Sequence, residues 1–345
     1  MAQRKRRGGK KGSGVGSFLL GFLLIVGCAG GAVAWLVLTP YGPESETLVT
    51  IPSGSSVVSV GRILESAGVV RNGYAFDLLR WVRRGRLKAG EYNFDHPAPA
   101  TEVYARIARG DVFTKTLVVP EGSNIFDIAS RVQQAGLGTR AQFLAAAASQ
   151  TALVSDLDPR ATSLEGYLFP DTYRFSPTFT ADQIVAAMVR RFRQVAEQLG
   201  LNQNVHKIVT LASLVERETA VDTERPLVAS VFDNRLAKSI PLSTDPSVVY
   251  GLELKGKWRG TIYASDLKRD TPYNTYLHAG LPPGPVANPG IASLRAAMDP
   301  AKTSYLYFVA AGINAQGHSL FASTLDEHNR NVALYRREQK KAGLR

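Results

Sequence analysis

The stretch Val205-His-Lys-Ile-Val-Thr-Leu-Ala-Ser-Leu-Val-Glu-Arg-Glu-Thr219 predicts a helix that is buried on nearly every side. Its apolar residues leave no polar face of any width, which is typical of a helix at the centre of a domain. The last turn nevertheless carries Glu216, Arg217 and Glu218. Carboxylates at the end of a buried helix are costly unless they are paired, solvated in a cleft or protonated. We therefore expect the chemistry of the protein at this end of the helix.

The two glutamates of this turn face different surroundings. They lie about 200° apart around the helix, because each residue advances the helix by about 100°. Only one can point into a given cleft, and the other is left for an ion pair with Arg217, Arg225 or Arg235. A partly buried glutamic acid with a raised pKa is what a general acid near neutral pH requires. The physics alone leaves the choice between the two open, and an ordinary ion pair is the simpler interpretation for each.

Cleavage of a glycosidic bond usually needs a second carboxylate. Candidates are Glu165 and Asp171, within Glu165-Gly-Tyr-Leu-Phe-Pro-Asp-Thr-Tyr173, and Asp245, within Ser243-Thr-Asp-Pro. One acid is enough if the sugar's own hydroxyl or acetamido group is the nucleophile. Further along, Tyr and Asn side chains on Pro- and Gly-rich loops (271–276, 280–285 and 288–290) suit a long polar ligand such as a sugar chain. Rigid loops without a ligand would have the same composition.

Other chemistries find little support in the sequence. The single cysteine, Cys28, lies in an apolar segment, so neither an internal disulfide nor thiol catalysis is expected in the body of the protein. The five histidines are scattered without metal-ligand spacing, and the zinc-protease, P-loop and serine-hydrolase motifs are absent. We therefore predict no metal and no cofactor.

An uncharged run from Phe18 to Leu38 predicts a transmembrane helix, because its 21 residues span about 30 Å, the thickness of a bilayer's hydrocarbon core. The basic tail at 1–17 indicates a cytoplasmic N-terminus. We therefore expect a single-pass protein of the cell inner membrane whose remaining chain is periplasmic. A cleaved signal peptide has a shorter apolar core. A lipoprotein is the alternative, since Ile25-Val-Gly-Cys28 resembles a lipid-attachment box, but ten apolar or small residues follow that cysteine.

The net charge of +12 does not indicate a nucleic-acid partner. Half of the excess lies in the N-terminal tail, which holds six of the 41 basic residues and no acidic residue. No groove-reading or base-stacking motif accompanies the charge.

A strand–turn–helix pattern occurs twice after the apolar run. The strand Leu48–Pro52 precedes a helix over Val57–Ala67, and the strand Lys115–Pro120 precedes a helix over Ile125–Ala135, about 67 residues later. These units resemble LysM-like modules, which rest on peptidoglycan, although a purely structural role fits equally well. Between them we predict a helix over Tyr74–Arg84, a return strand over Lys88–Phe94 and a helix capped by Thr101. Further helices are predicted over Phe143–Ser149 and Asp182–Leu199.

In combination, the motifs resemble those of the endolytic murein transglycosylase (YceG-like) family. They occur in family order at Glu165–Tyr173, Leu211–Thr219, Val228–Leu236, Thr244–Tyr250, Tyr273–Tyr276, Gly280–Gly284, Pro300–Thr303, Tyr305–Val309 and His318. The likeness is dense over 160–335 and looser over 48–110, where the family has a LysM-like subdomain.

The resemblance implies a reaction. Such enzymes cleave the β-1,4 bond between N-acetylmuramic acid and N-acetylglucosamine inside nascent glycan strands, without water, and leave 1,6-anhydro-muramyl ends, which limits strand length. The second glutamate of Glu-x-Glu, here Glu218, is implied as the catalytic residue that acts first as acid and then as base. The expected substrate-binding residues are Glu165, Asp171, Tyr173, Glu216, Asp245, Tyr250, Tyr273, Asn274, Tyr276 and His318. The implied partners are peptidoglycan strands and peptidoglycan synthases.

We therefore expect an α+β protein with a mainly helical catalytic domain and a short sheet that includes Tyr305–Val309. The predicted segments are a tail at 1–17, a transmembrane helix at 18–38, a LysM-like subdomain at 48–112, a second β-α unit at 113–160 and a catalytic domain at 161–338. Two other functions stay open. One is a hydrolase whose water is activated by Asp171 or Asp245, and the other is a non-catalytic, membrane-anchored scaffold that binds peptidoglycan.

Overall fold

The computed structural model describes residues 14–83, 85–312 and 317–342. They form two compact units, divided between Thr114 and Lys115. Helices dominate, and the strands of the described residues form three two-stranded antiparallel ribbons. The predicted α+β class is confirmed in this coarse form.

The first unit is a small module with its own core. Its elements are α1 (Gly14–Leu38), β1 (Thr47–Ile51), α2 (Val57–Ser66), α3 (Gly73–Arg83), β2 (Gly90–Phe94) and α4 (Ala100–Arg109). β1 and β2 pair antiparallel, with Thr47 opposite Phe94, which confirms the predicted return strand. Apolar side chains from each of these elements form one buried cluster. The predicted cap at Thr101 is wrong, because α4 begins at Ala100 and Pro99 occupies the N-cap position.

Helix α1 is compatible with a membrane anchor. Its segment Ser17–Leu38 is long and apolar enough to cross a bilayer, and most of it is exposed. The predicted span began one residue later, at Phe18. Only the last turns of α1 meet the rest of the unit, where Val33 and Val37 pack against the apolar cluster.

The second unit surrounds one central helix. Its elements are β3 (Lys115–Val118), α5 (Ile125–Gln134), α6 (Arg140–Ser149), β4 (Thr172–Phe175), α7 (Ala181–Leu199), α8 (Val205–Glu218), α9 (Arg225–Ala237), α10 (Asp245–Leu254), α11 (Ala264–Leu267), α12 (Ile291–Met298), β5 (Tyr307–Ala310), β6 (Ser319–Ala322) and α13 (Leu325–Lys341). Helix α8 is buried without a break from Val209 to Val215 and packs against α9 and α12. This confirms the buried helix predicted from its composition. The strand expected over Tyr305–Val309 is β5, which begins at Tyr307 and pairs with β6.

The sequence repeat is also a structural repeat. A spacing of 68 residues relates Pro52 to Pro120, and each proline carbonyl accepts a 3.3 Å hydrogen bond from the N–H three residues later. Gly54 and Gly122 follow with φ of 81° and 75°, a left-handed conformation that favours glycine. Both copies run strand–helix–helix–strand, because β4 returns to pair antiparallel with β3 as β2 does with β1. The pairing of β3 with β4 was not predicted.

Candidate active site

A cleft of about 350 Å³ opens at the C-terminal end of α8. Side chains from α8, α9, α10, β5 and α13 line it, together with the segment before α10. The lining residues are Glu218, Phe232, Arg235, Leu242, Ser243, Thr244, Asp245, Tyr276, Phe308 and His328. The cleft therefore combines one deep carboxyl group with polar and aromatic walls.

Glu218 is the last residue of α8 and the deepest acid of this cleft. The Thr244 hydroxyl donates a short hydrogen bond to its Oε1. Burial raises the pKa of Glu218, and the negative charge of Asp245 adds to that rise, while the Thr244 bond and the charges of Arg235 and Arg217 oppose it. The raised pKa has the direction expected from the position of Glu218 at the end of a buried helix. A carboxyl group held in this way carries a proton nearer to neutral pH than an exposed one.

The segment that carries Thr244 is fixed by a buried hydroxyl network. Ser243 adopts a left-handed conformation with φ of 52°, and its N–H donates to the Thr275 carbonyl at 3.0 Å. The Thr244 N–H donates to the Thr275 hydroxyl at 3.1 Å, and Ser247 contacts the same hydroxyl at 2.8 Å. A non-glycine residue in the left-handed region is maintained only where its surroundings determine it. The network thus holds the hydroxyl of Thr244 against Glu218.

Arg235, on α9, supplies fixed positive charge beside the acid. Its guanidinium donates to three main-chain carbonyls, those of Leu306 at 2.6 Å, Leu242 at 2.8 Å and Pro241 at 3.3 Å. It also lies over the Tyr307 ring, 5.3 Å from the centroid. These acceptors are neutral carbonyl oxygens, so they leave the positive charge of Arg235 uncompensated. That charge favours the ionised form of Glu218 and lowers its pKa.

His328, on α13, also lines the cleft. Its ring stacks on Tyr307 with centroids 5.1 Å apart, and its buried Nδ1 has no hydrogen-bond partner. Burial, with the charge of Arg235, lowers the pKa of His328, so the ring is neutral at neutral pH. Neither Arg235 nor His328 was predicted as a site residue. Arg235 stands in the Val228–Leu236 motif, which was a usable signal, whereas the sequence around His328 gives none.

Two of the predicted binding residues share the cleft with Glu218. Asp245 begins α10 and is exposed, and the Tyr276 hydroxyl donates to its Oδ1 at 2.7 Å. Asn274 is fully buried and serves the same loop, because its Nδ2 donates to two loop carbonyls while its Oδ1 accepts the Tyr276 N–H at 3.0 Å. The structure therefore brings Glu218, Asp245 and Tyr276 together and places Asn274 behind them.

Glu216 lies on another side of α8. Its Oε1 accepts from Arg225 at 3.0 Å and its Oε2 from the Gly290 N–H at 2.9 Å. The side chains of Glu216 and Arg225 are 5% and 6% exposed. As expected, one glutamate of Glu-x-Glu faces the cleft and the other forms an ion pair. Of the three arginines considered, Arg225 is the partner of Glu216.

A second cluster of predicted residues lies in the interior. Glu165 is 2% exposed; one carboxyl oxygen accepts from the Ile125 N–H at 2.9 Å and the other from Asn288 Nδ2 at 2.8 Å. Burial raises the pKa of Glu165 to about 8. Tyr250 adjoins it and meets Tyr273 edge to face at 5.0 Å. Glu165, Tyr250 and Tyr273 therefore come together, but none of them lines the cleft.

The three remaining predicted residues have partners away from the cleft lining. Asp171 pairs with Arg191 at 2.8 Å. The Tyr173 hydroxyl donates to the Phe169 carbonyl at 2.5 Å, and His318 contacts Glu224 at 2.9 Å.

The cleft defines a class of site. A half-buried carboxylic acid with a raised pKa, a hydroxyl donor that orients it and a fixed cation beside it are the components of a general acid–base catalyst. Within the described parts of the chain, no group of three or more His, Cys, Asp or Glu side chains is placed to hold a metal ion.

The comparisons with known proteins give the family. Residues 49–334 match the YceG-like family, and the chain belongs to it. An endolytic murein transglycosylase of Bacillus subtilis is 34% identical over 322 residues, which cover 87% of this chain and 88% of that protein. A protein of the same name from Streptococcus pneumoniae is 32% identical over 93% of this chain and 65% of its own length. The crystal structure of a yceG-like protein from Listeria monocytogenes matches with a TM-score of 0.54 and 33% identity, over 84% of this chain and 99% of that one.

Proposed function

We propose that this protein is a lytic transglycosylase that cuts peptidoglycan glycan strands internally, with Glu218 as its catalytic acid and base. The observation that carries the proposal is the placement of Glu218, half-buried in the lining of an open polar cleft, where its pKa is raised. The substrate comes from the family, since the relatives in Bacillus subtilis and Streptococcus pneumoniae are named endolytic murein transglycosylases.

In the first step, protonated Glu218 donates its proton to the glycosidic oxygen as the bond from that oxygen to C1 of N-acetylmuramic acid breaks. The raised pKa of Glu218 keeps this proton available near neutral pH. The N-acetylglucosamine fragment leaves with a free 4-hydroxyl group.

In the second step, the Glu218 carboxylate accepts the proton of the muramyl 6-hydroxyl while that oxygen bonds to C1. The product is a 1,6-anhydro ring, no water is consumed, and Glu218 is protonated again. Arg235 and Thr244 stabilise the carboxylate between the two steps, because both favour the charged form of Glu218. Asp245 and Tyr276 are the proposed contacts to sugar hydroxyls, since both line the cleft.

The decisive experiment is product analysis on purified, uncrosslinked glycan strands by mass spectrometry. Anhydro ends support the transglycosylase, reducing ends would indicate a hydrolase, and uncut strands would indicate a scaffold. For a hydrolase, Asp245 is the better of the two carboxylates considered, because Asp245 lines the cleft and Asp171 does not.

Glu218→Gln and Glu216→Gln form a matched pair of variants, two residues apart and on different sides of α8. Glu218→Gln should lower cleavage about 10²–10⁴-fold, because it removes the proton transfer. Its thermal stability should be unchanged or raised, because a buried acid becomes a neutral amide. Glu216→Gln should instead lower thermal stability, because buried Arg225 loses one of its two charged partners and keeps the exposed Asp222. If Glu216→Gln abolishes cleavage and the variant is stable, Glu216 is the catalytic acid and Glu218 has the structural role.

We further propose that α1 spans the cytoplasmic (inner) membrane once, with its basic tail in the cytoplasm and the catalytic unit in the periplasm. The support is the charge asymmetry around the apolar run. Association with peptidoglycan synthases stays a prediction from the family resemblance.

For the chain outside the membrane, we propose residues 48–112 as a LysM-like subdomain, 113–160 as a second β-α unit and 161–338 as the transglycosylase domain. The first of these has a groove of about 600 Å³ beside the turn before α2. Ser56, Arg80 and Arg86 are among its lining residues, and their hydroxyl and guanidinium groups suit a sugar chain. We propose that this groove holds a glycan strand.

A further inference from the structure

Helix α3 exposes an apolar stripe. Tyr74, Leu78, Trp81 and Val82 are 65%, 48%, 83% and 77% exposed. Their spacing of four, three and one residues places them on one face of the helix. The opposite face packs into the core of the first unit through Phe76 and Leu79. A contiguous exposed patch of large apolar side chains is typical of an interaction surface.

The stripe belongs to the same unit as the membrane helix. Helix α1 packs against both α3 and α4. Arg71, in the loop before α3, lies 4.7 Å from the Trp35 ring centroid and 4.6 Å from that of Tyr41. It also donates to the Pro40 carbonyl at 3.3 Å. The end of α1 is therefore fixed to the unit that carries the stripe.

The length of α1 sets the depth of this junction. From Phe18 to Ala32, where α1 is exposed apart from half-buried Gly21, the apolar run rises about 22 Å. A bilayer's hydrocarbon core is about 30 Å thick. The outer boundary of that core thus falls within the segment around Val33 and Val37 where the first unit packs against α1. Trp35 lies in this segment, as expected of the aromatic residues that mark a membrane interface.

Charge and composition agree with a lipid surface. The segment from Arg71 to Lys88 holds six basic residues and one acidic residue. Basic residues beside a bilayer are attracted to anionic headgroups. Tryptophan and tyrosine prefer the headgroup level, where a helix with one apolar face lies in the plane of the interface.

We propose that α3 docks on the outer surface of the membrane that α1 spans, with Tyr74, Leu78, Trp81 and Val82 inserted at headgroup level. The occupant of the stripe is the lipid bilayer. The first unit is then attached to the membrane at two places, by α1 and by α3, and its orientation to the surface is fixed. This inference rests on α1 as the span and is independent of the chemistry at Glu218.

Trp81 itself reports on the docking. The chain has three tryptophans, at 35, 81 and 258, so Trp35→Phe with Trp258→Phe leaves Trp81 as the sole tryptophan fluorophore. The full-length protein is reconstituted in phosphatidylcholine–phosphatidylglycerol vesicles with and without brominated acyl chains. We expect brominated lipid to remove most of the Trp81 emission. Emission that is unchanged by bromination overturns the proposal, as does a blue shift that depends on protein concentration and not on lipid, which would indicate a protein partner.

Two variants in the same background sharpen the result. Leu78→Asp with Val82→Asp should abolish the quenching, because two charges enter the stripe, while α1 still holds the protein in the vesicle. Val58→Asp is the matched control, since Val58 is 44% exposed on α2, outside the stripe. It should leave the quenching unchanged. Circular dichroism verifies that each variant is folded, and quenching that persists in the double variant contradicts docking through this face.

Discussion

The strand–helix–helix–strand unit is built twice in this chain, and the two copies differ in what surrounds the turn before the first helix. In the first copy, the space around Gly54 is open and the turn borders a groove. In the second copy, the side chains of Glu216 and Arg217 lie within 3.6 Å of the place that a Cβ atom on Gly122 would occupy. The Gly122 carbonyl accepts from Arg217, and its N–H donates to the Asn288 carbonyl. The first turn therefore borders open space, whereas the second lies against α8, which carries Glu218.

The difference shows how the same unit can border a groove in one place and form part of a core in another. Burial of the second turn leaves main-chain donors and acceptors that water no longer reaches, so each needs a partner in the protein. The Asn288 side chain supplies one of these partners, because its Nδ2 donates to the Ser123 carbonyl. The same side chain also donates to Glu165 and accepts the Leu168 N–H at 2.8 Å. The turn thereby fixes the surroundings of α8, which carries Glu218.

Asn288→Ala should have the largest effect on this comparison. It leaves the buried Leu168 N–H without its partner, and it removes the Asn288 bond to Glu165 and one of the two bonds that the Ser123 carbonyl accepts from Asn288. The loss should be about 4 kcal/mol. Hydrogen exchange should rise throughout α8 and cleavage should fall, while the first unit keeps its protection. Asn72→Ala is the control in the first unit, where Asn72 only accepts the Ala75 N–H at the start of α3. Equal destabilisation by the two variants would mean that the Asn288 side chain fixes the second unit no more firmly than the Asn72 bond fixes the start of α3 in the first.

Sequence reasoning recovered the parts of this comparison that depend on local pattern. The apolar composition of α8 predicted its burial, and helical geometry separated Glu216 from Glu218. The choice between these glutamates came from the family motif, because their local patterns are alike. Partners distant in sequence stayed hidden: nothing near Glu165 indicates that Ile125 and Asn288 enclose it, and nothing near His328 indicates the cleft. Glu165, in a loop, and Tyr250, on α10, were expected to bind substrate because they stand in family motifs, whereas the structure places both in the interior.

Glu165, which is fully buried, gives the second copy a pH dependence; in the first copy, burial shifts the pKa of Asp77 in the same direction. The pKa of Glu165 is raised by burial from 4.5 to about 8. The folded protein therefore holds a proton that the unfolded chain loses, so this contribution to stability is complete below pH 4.5 and declines as pH rises to about 8. The decline should be about 5 kcal/mol. Glu253, with its pKa raised to about 7 by burial, and Glu218 add slopes of the same sign.

Glu165→Gln should make this slope shallower. The amide cannot accept both hydrogen bonds, so the variant is less stable than the parent at pH 5, and the two stabilities should converge towards pH 9. Thermal unfolding between pH 5 and 9 measures both slopes. Parallel curves would show that Glu165 does not titrate in this range.

The smallest expected effect comes from the two helix caps, which occupy equivalent positions in the repeat. Ser56 accepts one N–H, that of Ser59 at 3.1 Å, and Ser56→Ala should lower stability by about 1 kcal/mol. Asn124 accepts the N–H groups of Phe126 and Asp127 and donates to Glu253 at 2.6 Å, so Asn124→Ala should lower stability by about 2 kcal/mol. Hydrogen exchange in α2 and α5 measures the two losses separately.

Retention on glycan strands separates the same two variants by function. In the Glu218→Gln background, which does not cut its ligand, Ser56→Ala should weaken retention, because Ser56 lines the proposed glycan groove. Asn124→Ala should leave that groove unaltered, since its partners lie on α5 and α10. If both substitutions weaken retention equally, the second turn also contacts glycan and the contrast between an open and an enclosed copy fails. If neither substitution weakens retention, the groove beside Ser56 does not hold glycan and the first copy is a structural spacer. A bound strand in this groove would lose its contact with Ser56 in Ser56→Ala.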